Sequence, residues 1–281
     1  MKSLFICPDC GGTLESEGNS YFCKNRHCFD IAKQGYVNLL KSNRSSLKHH
    51  GDDKMMVKAR RDFLEKGFYS ELKDRLCDDI AHLAEKSSVL VDAGCGEGYY
   101  TRAAAEALRN KNALSAAGGV DISKDAVAYA SKAGGGIQYA VAGVYNMPLK
   151  DESADIVLNI FAPNAFDEFK RILKPGGLLS VAYPLENHLM ELKQAVYDKA
   201  YKNDSVPSVP DGFDFITIRE IKQVLHIESN EDIVNLFKMT PYYYKTGADD
   251  QKKLEFLTRL DISIEVGIMH CKKDSEKFYN N

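Results

Sequence analysis

The 281-residue chain contains no tryptophan and only eight prolines, and its charges nearly cancel: 37 Lys and Arg against 40 Asp and Glu, a formal net charge of −3. That balance excludes a protein that coats nucleic acid through a global basic field, while leaving room for a local basic patch that grips RNA. No apolar run approaches the roughly 20 residues a membrane-spanning helix needs. The segment Met1-Lys2-Ser3-Leu4-Phe5-Ile6-Cys7 lacks the long apolar core of a secretory signal, so the expected location is cytoplasmic and no membrane partner is expected. Internal repeats and low-complexity tracts are missing as well. What remains is an ordinary globular composition, 44% hydrophobic and 10% aromatic, sufficient to bury a real core.

Seven cysteines are present, and four of them fall within the first 28 residues, while Cys77, Cys95 and Cys271 stand alone. In a reducing compartment so tight a cluster holds metal rather than disulfides. Cys7-Pro8-Asp9-Cys10 has the two-residue gap of a zinc knuckle, with Gly11 and Gly12 allowing amides to approach sulfur. Cys23 and His27 supply a second pair that closes a tetrahedron across a short hairpin, with Cys28 competing with His27 for the fourth place. Four protein ligands leave no open position, so the expected Zn²⁺ is structural. Residues 1–40 are too few for a good apolar core, and metal binding would supply much of their folding free energy. They form the first expected unit, a zinc-binding module.

Residues 41–84 are expected to be a basic helical connector, with a helix from about Asp53 to Leu83 broken at Gly67. Its cations are Lys41, Arg44, Lys48, Lys54, Lys58, Arg60 and Arg61, joined by His49 and His50 and opposed by Asp52, Asp53 and Asp62. Either a solvated helix face or a phosphate-gripping element fits that pattern. Its place between a zinc module and a larger domain favours the second, with Arg60 and Arg61 as substrate-contact candidates.

From residue 85 to 281 the pattern alternates. Strands are expected at Ser88–Ala93, Leu114–Asp121, Ile137–Val141, Ala154–Phe161 and Leu178–Tyr183, with helices at Tyr100–Leu108, Lys124–Ala133 and before Leu173. The C-terminal third adds a helix near Leu189–Ala200 and strands near Phe213–Ile218 and Asp261–His270. This alternation predicts an α/β, doubly wound, Rossmann-like parallel sheet.

Between the first strand and its helix lies Asp92-Ala93-Gly94-Cys95-Gly96-Glu97-Gly98, a turn whose glycines let backbone lie against a cofactor. The spacing Gly94-x-Gly96-x-Gly98 misses the nicotinamide fingerprint G-x-G-x-x-G. An acidic residue ahead of G-x-G-x-G is the form used by class I methyltransferases, whose cofactor is S-adenosylmethionine. Asp121, closing the second strand, is placed to accept hydrogen bonds from both ribose hydroxyls. The charges agree: Asp92 and Glu97 suit a sulfonium cation and would repel a diphosphate. Lys174-Pro175-Gly176-Gly177 reads as a structural turn into the fifth strand.

Ligands of doubly wound sheets sit beyond the carboxyl ends of the strands. Asn159-Ile160-Phe161-Ala162-Pro163 is therefore expected near the transferred methyl, either as an apolar strand end closed by proline or with Phe161 stacking on a nucleobase. His188, after the fifth strand, is within reach of the cofactor or else a packing residue. No residue is marked as a catalytic base.

Taken together, these residues resemble the bacterial 23S rRNA (guanine-N1)-methyltransferase family over nearly the whole chain. The resemblance rests on Cys7, Cys10, Cys23 and His27; on the string from Phe29 through Ala32-Lys33-Gln34-Gly35-Tyr36-Val37-Asn38-Leu39-Leu40; and on Gly51-Asp52, Met55-Met56 and Ala59-Arg60-Arg61. It continues through Gly94–Thr101, His188-Leu189-Met190-Glu191-Leu192-Lys193 and Met239-Thr240-Pro241. It implies methyl transfer to N1 of a guanine in a 23S rRNA hairpin beside the peptide exit tunnel, a zinc module that helps hold RNA, and a possible homodimer with a shared cleft. By the same route Tyr69, Glu97, Gly98 and His188 contact S-adenosylmethionine, and His27 rather than Cys28 is the zinc ligand. One branch of the family is linked to macrolide resistance. Two rival readings are a small-molecule methyltransferase, which leaves the zinc module unexplained, and a non-catalytic RNA-binding protein, which has no need of an intact glycine loop.

Overall fold

A computed structural model of the chain describes residues 2–41, 51–204 and 207–275. Of the basic connector, Arg44, Lys48, His49 and His50 lie outside the described residues. Four short strands, β1 (Lys2–Ile6), β2 (Thr13–Glu17), β3 (Ser20–Phe22) and β4 (Cys28–Asp30), form an antiparallel sheet in that order. β5 (Val37–Asn38) then leaves this ribbon and adds to the edge of the large sheet, parallel to β8 (Gln138–Val141).

The helical stretch is two helices, α1 (Lys54–Glu65) and α2 (Ser70–Leu83), separated at Gly67, whose φ of 81° only glycine adopts freely. Asp53 starts α1 by accepting hydrogen bonds from the amides of Met55 and Met56, both at 2.9 Å. Phe63 stacks on Phe68 across the break with ring centroids 4.5 Å apart, which pins the angle between the helices.

The alternation from β6 (Ser88–Ala93) onward builds an eight-stranded sheet together with β7 (Leu114–Asp121), β9 (Ala154–Ile160), β10 (Leu173–Pro184), β11 (Phe213–Ile227) and β12 (Leu260–Lys273). The order is β11-β12-β10-β9-β6-β7-β8-β5, and β12 alone runs antiparallel to its neighbours β10 and β11, while the other pairings are parallel. Helices α3 (Tyr99–Asn110), α4 (Lys124–Lys132), α5 (Phe166–Ile172) and α6 (Met190–Val196) connect or flank the strands. β6 has β7 on one side and β9 on the other, so the chain reverses its direction of winding there and opens a crevice beyond the strand ends.

The C-terminal third departs from its sequence pattern. β11 continues to Ile227 where a strand only near Phe213–Ile218 is expected, because it lies at the sheet edge and is held by pairing with β12 rather than by burial. The helix near Leu189–Ala200 ends at Val196. Two helices without a strong sequence signal, α7 (Asn230–Lys238) and the short α8 (Tyr242–Lys245), pack beside α1.

The ribbon is joined to the large sheet. The Ile6 amide donates to the Pro148 carbonyl at 2.8 Å, and the Leu4 amide to Gln138 Oε1 at 2.9 Å. Phe5 and Leu14 are buried in the same apolar cluster as Val91, Val120, Met147 and Val157. Burying that ribbon face against the sheet adds to what metal alone provides to so small a unit.

Candidate functional site

The metal cluster assembles from two tight turns. In the first, the Gly11 amide donates to the Cys7 carbonyl and the Cys7 amide to the Gly12 carbonyl, each at 2.8 Å. In the second, the Arg26 amide donates to the Cys23 carbonyl at 2.9 Å, and Arg26 adopts φ 62° to close the loop. The ligand atoms of Cys7, Cys10, Cys23 and His27 all lie within 4.8 Å of one another. His27 Nδ1 stands 3.3 Å from Cys7 Sγ and 3.5 Å from Cys23 Sγ, and Cys10 and Cys23 sulfurs are 3.6 Å apart. A tetrahedral Zn²⁺ with bonds of about 2.3 Å to sulfur and about 2.0 Å to nitrogen requires edges of roughly 3.5–3.8 Å. The cluster fits structural zinc, with Nδ1 as the histidine ligand atom. Cys28 is exposed in β4 and outside the cluster, whereas His27 is within it.

The second site opens at the carboxyl ends of β6, β7 and β9. Gly94 has φ 88°, and a Cβ there would lie 2.4 Å from Ala162 Cβ, so the loop and the Phe161-Ala162-Pro163 turn touch only because position 94 has no side chain. Gly98, at φ 81°, caps α3, and a Cβ on it would meet the Tyr139 hydroxyl at 2.8 Å. Asp121 steadies the loop from β7: its carboxylate accepts from the Gly96 amide at 3.0 Å and the Ser123 amide at 2.8 Å.

Four carboxylates surround this loop. Asp92 is fully buried; one oxygen accepts from the Thr101 hydroxyl, and Oδ1 has no partner. Burial pushes its carboxyl up to about 7, against the Thr101 bond. Glu97 and Asp121 are also raised by burial; the Arg60 guanidinium opposes this in both, as do the Ser123 and Gly96 amides in Asp121. Arg60 reaches over from α1, pairs with Asp52, donates to the Met239 carbonyl at 2.9 Å and passes 3.8 Å from the Cβ position of Gly96. With Arg102, which also acts on Glu97, it balances the acidic wall, and it is tied down rather than displayed to solvent. Arg61 points elsewhere, paired with Asp62 at 2.8 Å and lying over the Tyr129 ring at 4.9 Å.

At the far wall, Tyr69, Phe161 and His188 meet. His188 stacks on Phe161 with centroids 5.9 Å apart, and Tyr69 stands edge-on to both, at 6.2 and 6.3 Å. His188 Nδ1 accepts from the Glu265 amide at 3.1 Å, which leaves the proton on Nε2, 3.3 Å from the Tyr69 hydroxyl. Burial, with the charge of Lys193 adding to it, lowers His188 to about 3, so the ring is neutral. Phe161 takes φ 53° and remains 43% exposed, a strained and accessible ring at the mouth.

Contacts thus link the glycine loop to Asp121, Arg60 and the Phe161-Ala162-Pro163 turn, and that turn to Tyr69 and His188, whereas Arg61 pairs with Asp62 and Tyr129 and shares a separate surface pocket with Glu97. Sequence reasoning gave Thr101 and Asp52 no role in the site and missed the hold exerted by Asn159. The Asn159 amide donates to the carbonyls of Ala93 and Pro163 at 3.1 and 3.2 Å, stitching the loop to the turn, while its buried Oδ1 has no partner. A hydroxyl on the first turn of the helix after the glycine loop was the available signal for Thr101; for Asp52 it was the Gly51-Asp52 pair of the family resemblance. Two buried acceptors without donors, a cradle that a Cβ would fill and a carboxylate wall suit a cationic nucleoside such as S-adenosylmethionine.

Comparison with known proteins agrees on each part. The family described as "RlmA, N-terminal", a zinc ribbon, matches residues 5–46, and a methyltransferase domain family matches residues 91–181. A Bacillus subtilis protein named as a 23S rRNA (guanine-N1)-methyltransferase is 31% identical, covering 95% of this chain and 96% of that one. A Streptomyces fradiae 23S rRNA (guanine(748)-N1)-methyltransferase is 38% identical over 68% of this chain and 66% of its own length, and a Micromonospora griseorubida relative 33% identical over 66% and 67%. No helix among the described residues is long and apolar enough to cross a membrane. With a ribbon, a glycine-loop crevice and a relative matched from end to end, the chain belongs to the 23S rRNA (guanine-N1)-methyltransferase family.

Proposed function

We propose that the chain transfers a methyl group from S-adenosylmethionine to N1 of a guanine in 23S rRNA, within a hairpin beside the peptide exit tunnel. The observation that carries the reading is the end-to-end similarity to a 23S rRNA (guanine-N1)-methyltransferase, which includes the ribbon and connector that a small-molecule enzyme would not need. S-adenosylmethionine supplies an electrophilic methyl on a sulfonium centre. Gly94, Gly96 and Gly98 admit the cofactor to the backbone, Asp121 takes the ribose, and Asp92 and Glu97 provide the acidic wall. Tyr69 and His188 contact it from the opposite side. Both His188 ring nitrogens are engaged, by the Glu265 amide and the Tyr69 hydroxyl, so this residue orients rather than accepts the guanine proton. Phe161 offers a ring on which the target base stacks while N1 is aligned with the methyl; alignment and exclusion of water are where such a displacement gains most.

The same reading divides the labour among residues 1–40 as an RNA-recognising zinc unit, 41–84 as the connector and 85–281 as the catalytic domain. It places the protein in the cytoplasm and pairs two copies around one RNA cleft. The test is methyl transfer from labelled S-adenosylmethionine to unmodified 23S rRNA, mapped by reverse-transcription stops. A stop at one guanine of the tunnel hairpin is expected, since N1 methylation blocks base pairing. Intact cofactor binding with no label in any rRNA would discard the RNA substrate.

A further inference from the structure

Between α1 and α7 runs a cavity of about 290 Å³ lined by Met55, Lys58, Glu231, Val234 and Lys238 among others. Its lining combines apolar Met55 and Val234 with a lysine contributed by each helix. At one end stands α8. Tyr243 packs edge-on against Phe237 at 5.8 Å and directs its hydroxyl to Met55 Sδ at 3.8 Å. Tyr244 lies against Tyr243, centroids 5.3 Å apart, and its hydroxyl donates to Asp53 at 2.6 Å, yet the residue is 60% exposed. An aromatic ring fixed at both ends and still open to solvent is a platform already ordered before anything stacks on it.

This face connects with the cofactor crevice through α1. Arg60, on the same helix, reaches the Met239 carbonyl just before α8 and the surroundings of Gly96. The Asp52 carbonyl, next to the α1 cap, accepts from the Ser123 hydroxyl at 2.6 Å beside Asp121. A polymer lying along the groove would therefore lead to the mouth of the site.

We propose that the α1–α7 groove and the exposed Tyr244 form a subsite for an unpaired stretch of the rRNA substrate, with one base stacked on Tyr244 and phosphates beside Lys58 and Lys238. The inference rests on the function proposed above. RNA is favoured by the chemistry: single-stranded recognition combines aromatic platforms with cations that follow the backbone. Lys245 is exposed next to Tyr244 and adds to the same charge. Lys58 is paired with Asp62 at the surface, a partnership weak enough to be exchanged for a phosphate. Glu231 is the one acidic side chain in the lining, against the two lysines Lys58 and Lys238.

The test compares full-length wild type with Tyr244→Ala, Tyr244→Phe and the pair Lys58→Gln/Lys238→Gln. The KM for unmodified 23S rRNA and the dissociation constant for S-adenosylhomocysteine are measured for each. Tyr244→Ala is expected to raise the RNA KM about tenfold, as loss of one stacked base does. Tyr244→Phe keeps the ring and should stay near wild type. The lysine pair should reduce the salt dependence of RNA binding by about two phosphate contacts. Cofactor affinity should remain within about twofold throughout, given that no altered side chain lines the crevice. Active wild type with all variants at wild-type RNA KM overturns the subsite alone. Parallel loss of RNA and cofactor binding also overturns it, by assigning the face a packing role. Wild type that leaves rRNA unlabelled overturns the functional reading and the subsite together.

Discussion

The zinc cluster and the cofactor crevice are built in opposite ways. All four zinc ligands come from residues 7–27, and two short turns bring them together. The crevice draws on Arg60 from α1, the β6–α3 loop, Asp121 from β7, Asn159 from β9 and His188 after β10, positions that only the sheet brings into contact. A local site of this kind depends on metal to hold its turns, whereas a long-range site depends on packing. The two should therefore fail differently when disturbed, and their failures should be separable except where Phe5 and Leu14 join the ribbon to the core.

The largest effect is expected at the metal. Cys10→Ser should remove zinc and with it a contribution on the order of 10 kcal/mol to folding of the ribbon. Metal content, thermal melting and methylation of rRNA report this together; RNA methylation should fall further than cofactor affinity. Equal loss of both would mean that the shared core transmits the damage and that the sites are not separable.

Gly94→Val tests the opposite site. Its Cβ would meet Ala162 in a backbone conformation unsuited to a branched side chain, so binding of S-adenosylhomocysteine should fall by about 100-fold or more while zinc content stays at the wild-type level. Calorimetric titration with measured metal stoichiometry distinguishes the two, and retained cofactor affinity would mean that the loop does not carry the ligand.

A smaller, pH-dependent loss is expected from Arg60→Met. The guanidinium opposes the upward shift that burial imposes on Glu97 and Asp121, with Asp52 and Arg102 the other charges around them. Without it both carboxyls titrate at higher pH, so as pH falls they are protonated sooner and lose their attraction for a cationic ligand. Cofactor affinity should drop by up to about tenfold, roughly 1.4 kcal/mol, with the loss growing as pH falls. A loss that does not vary with pH would reduce Arg60 to a packing role.

Cys28→Ser should do least. The thiol is exposed and apart from the four ligands, so zinc content should not change and stability should stay within about 0.5 kcal/mol. Loss of metal in this variant would reverse the assignment of His27.

Much of this was legible before any coordinates. The knuckle spacing of Cys7 and Cys10, the Gly94-x-Gly96-x-Gly98 turn and the alternating strands are local patterns, and β6, β7 and β9 appear within a residue or so of where hydrophobic runs place them. β11 was cut short because its side chains are mostly exposed and carry no burial pattern; its length comes from register with β12. Asp52 stood only as an acid among the connector's cations and Asn159 only within the end of the fourth strand, because their roles exist only through partners far along the chain.

Residue type and spacing alone thus determined the zinc ligands up to the choice between His27 and Cys28, the acidic glycine loop and the class of fold. Tertiary structure placed His27 rather than Cys28 beside the three cysteines, Arg60 over the glycine loop and Arg61 against Asp62 and Tyr129. It also decided the tautomer of His188 and the open ring of Tyr244. The reason is physical: a ligand set within one turn is governed by backbone geometry over a few bonds, whereas the charge balance and orientation of a buried site depend on which distant groups share its low-dielectric surroundings.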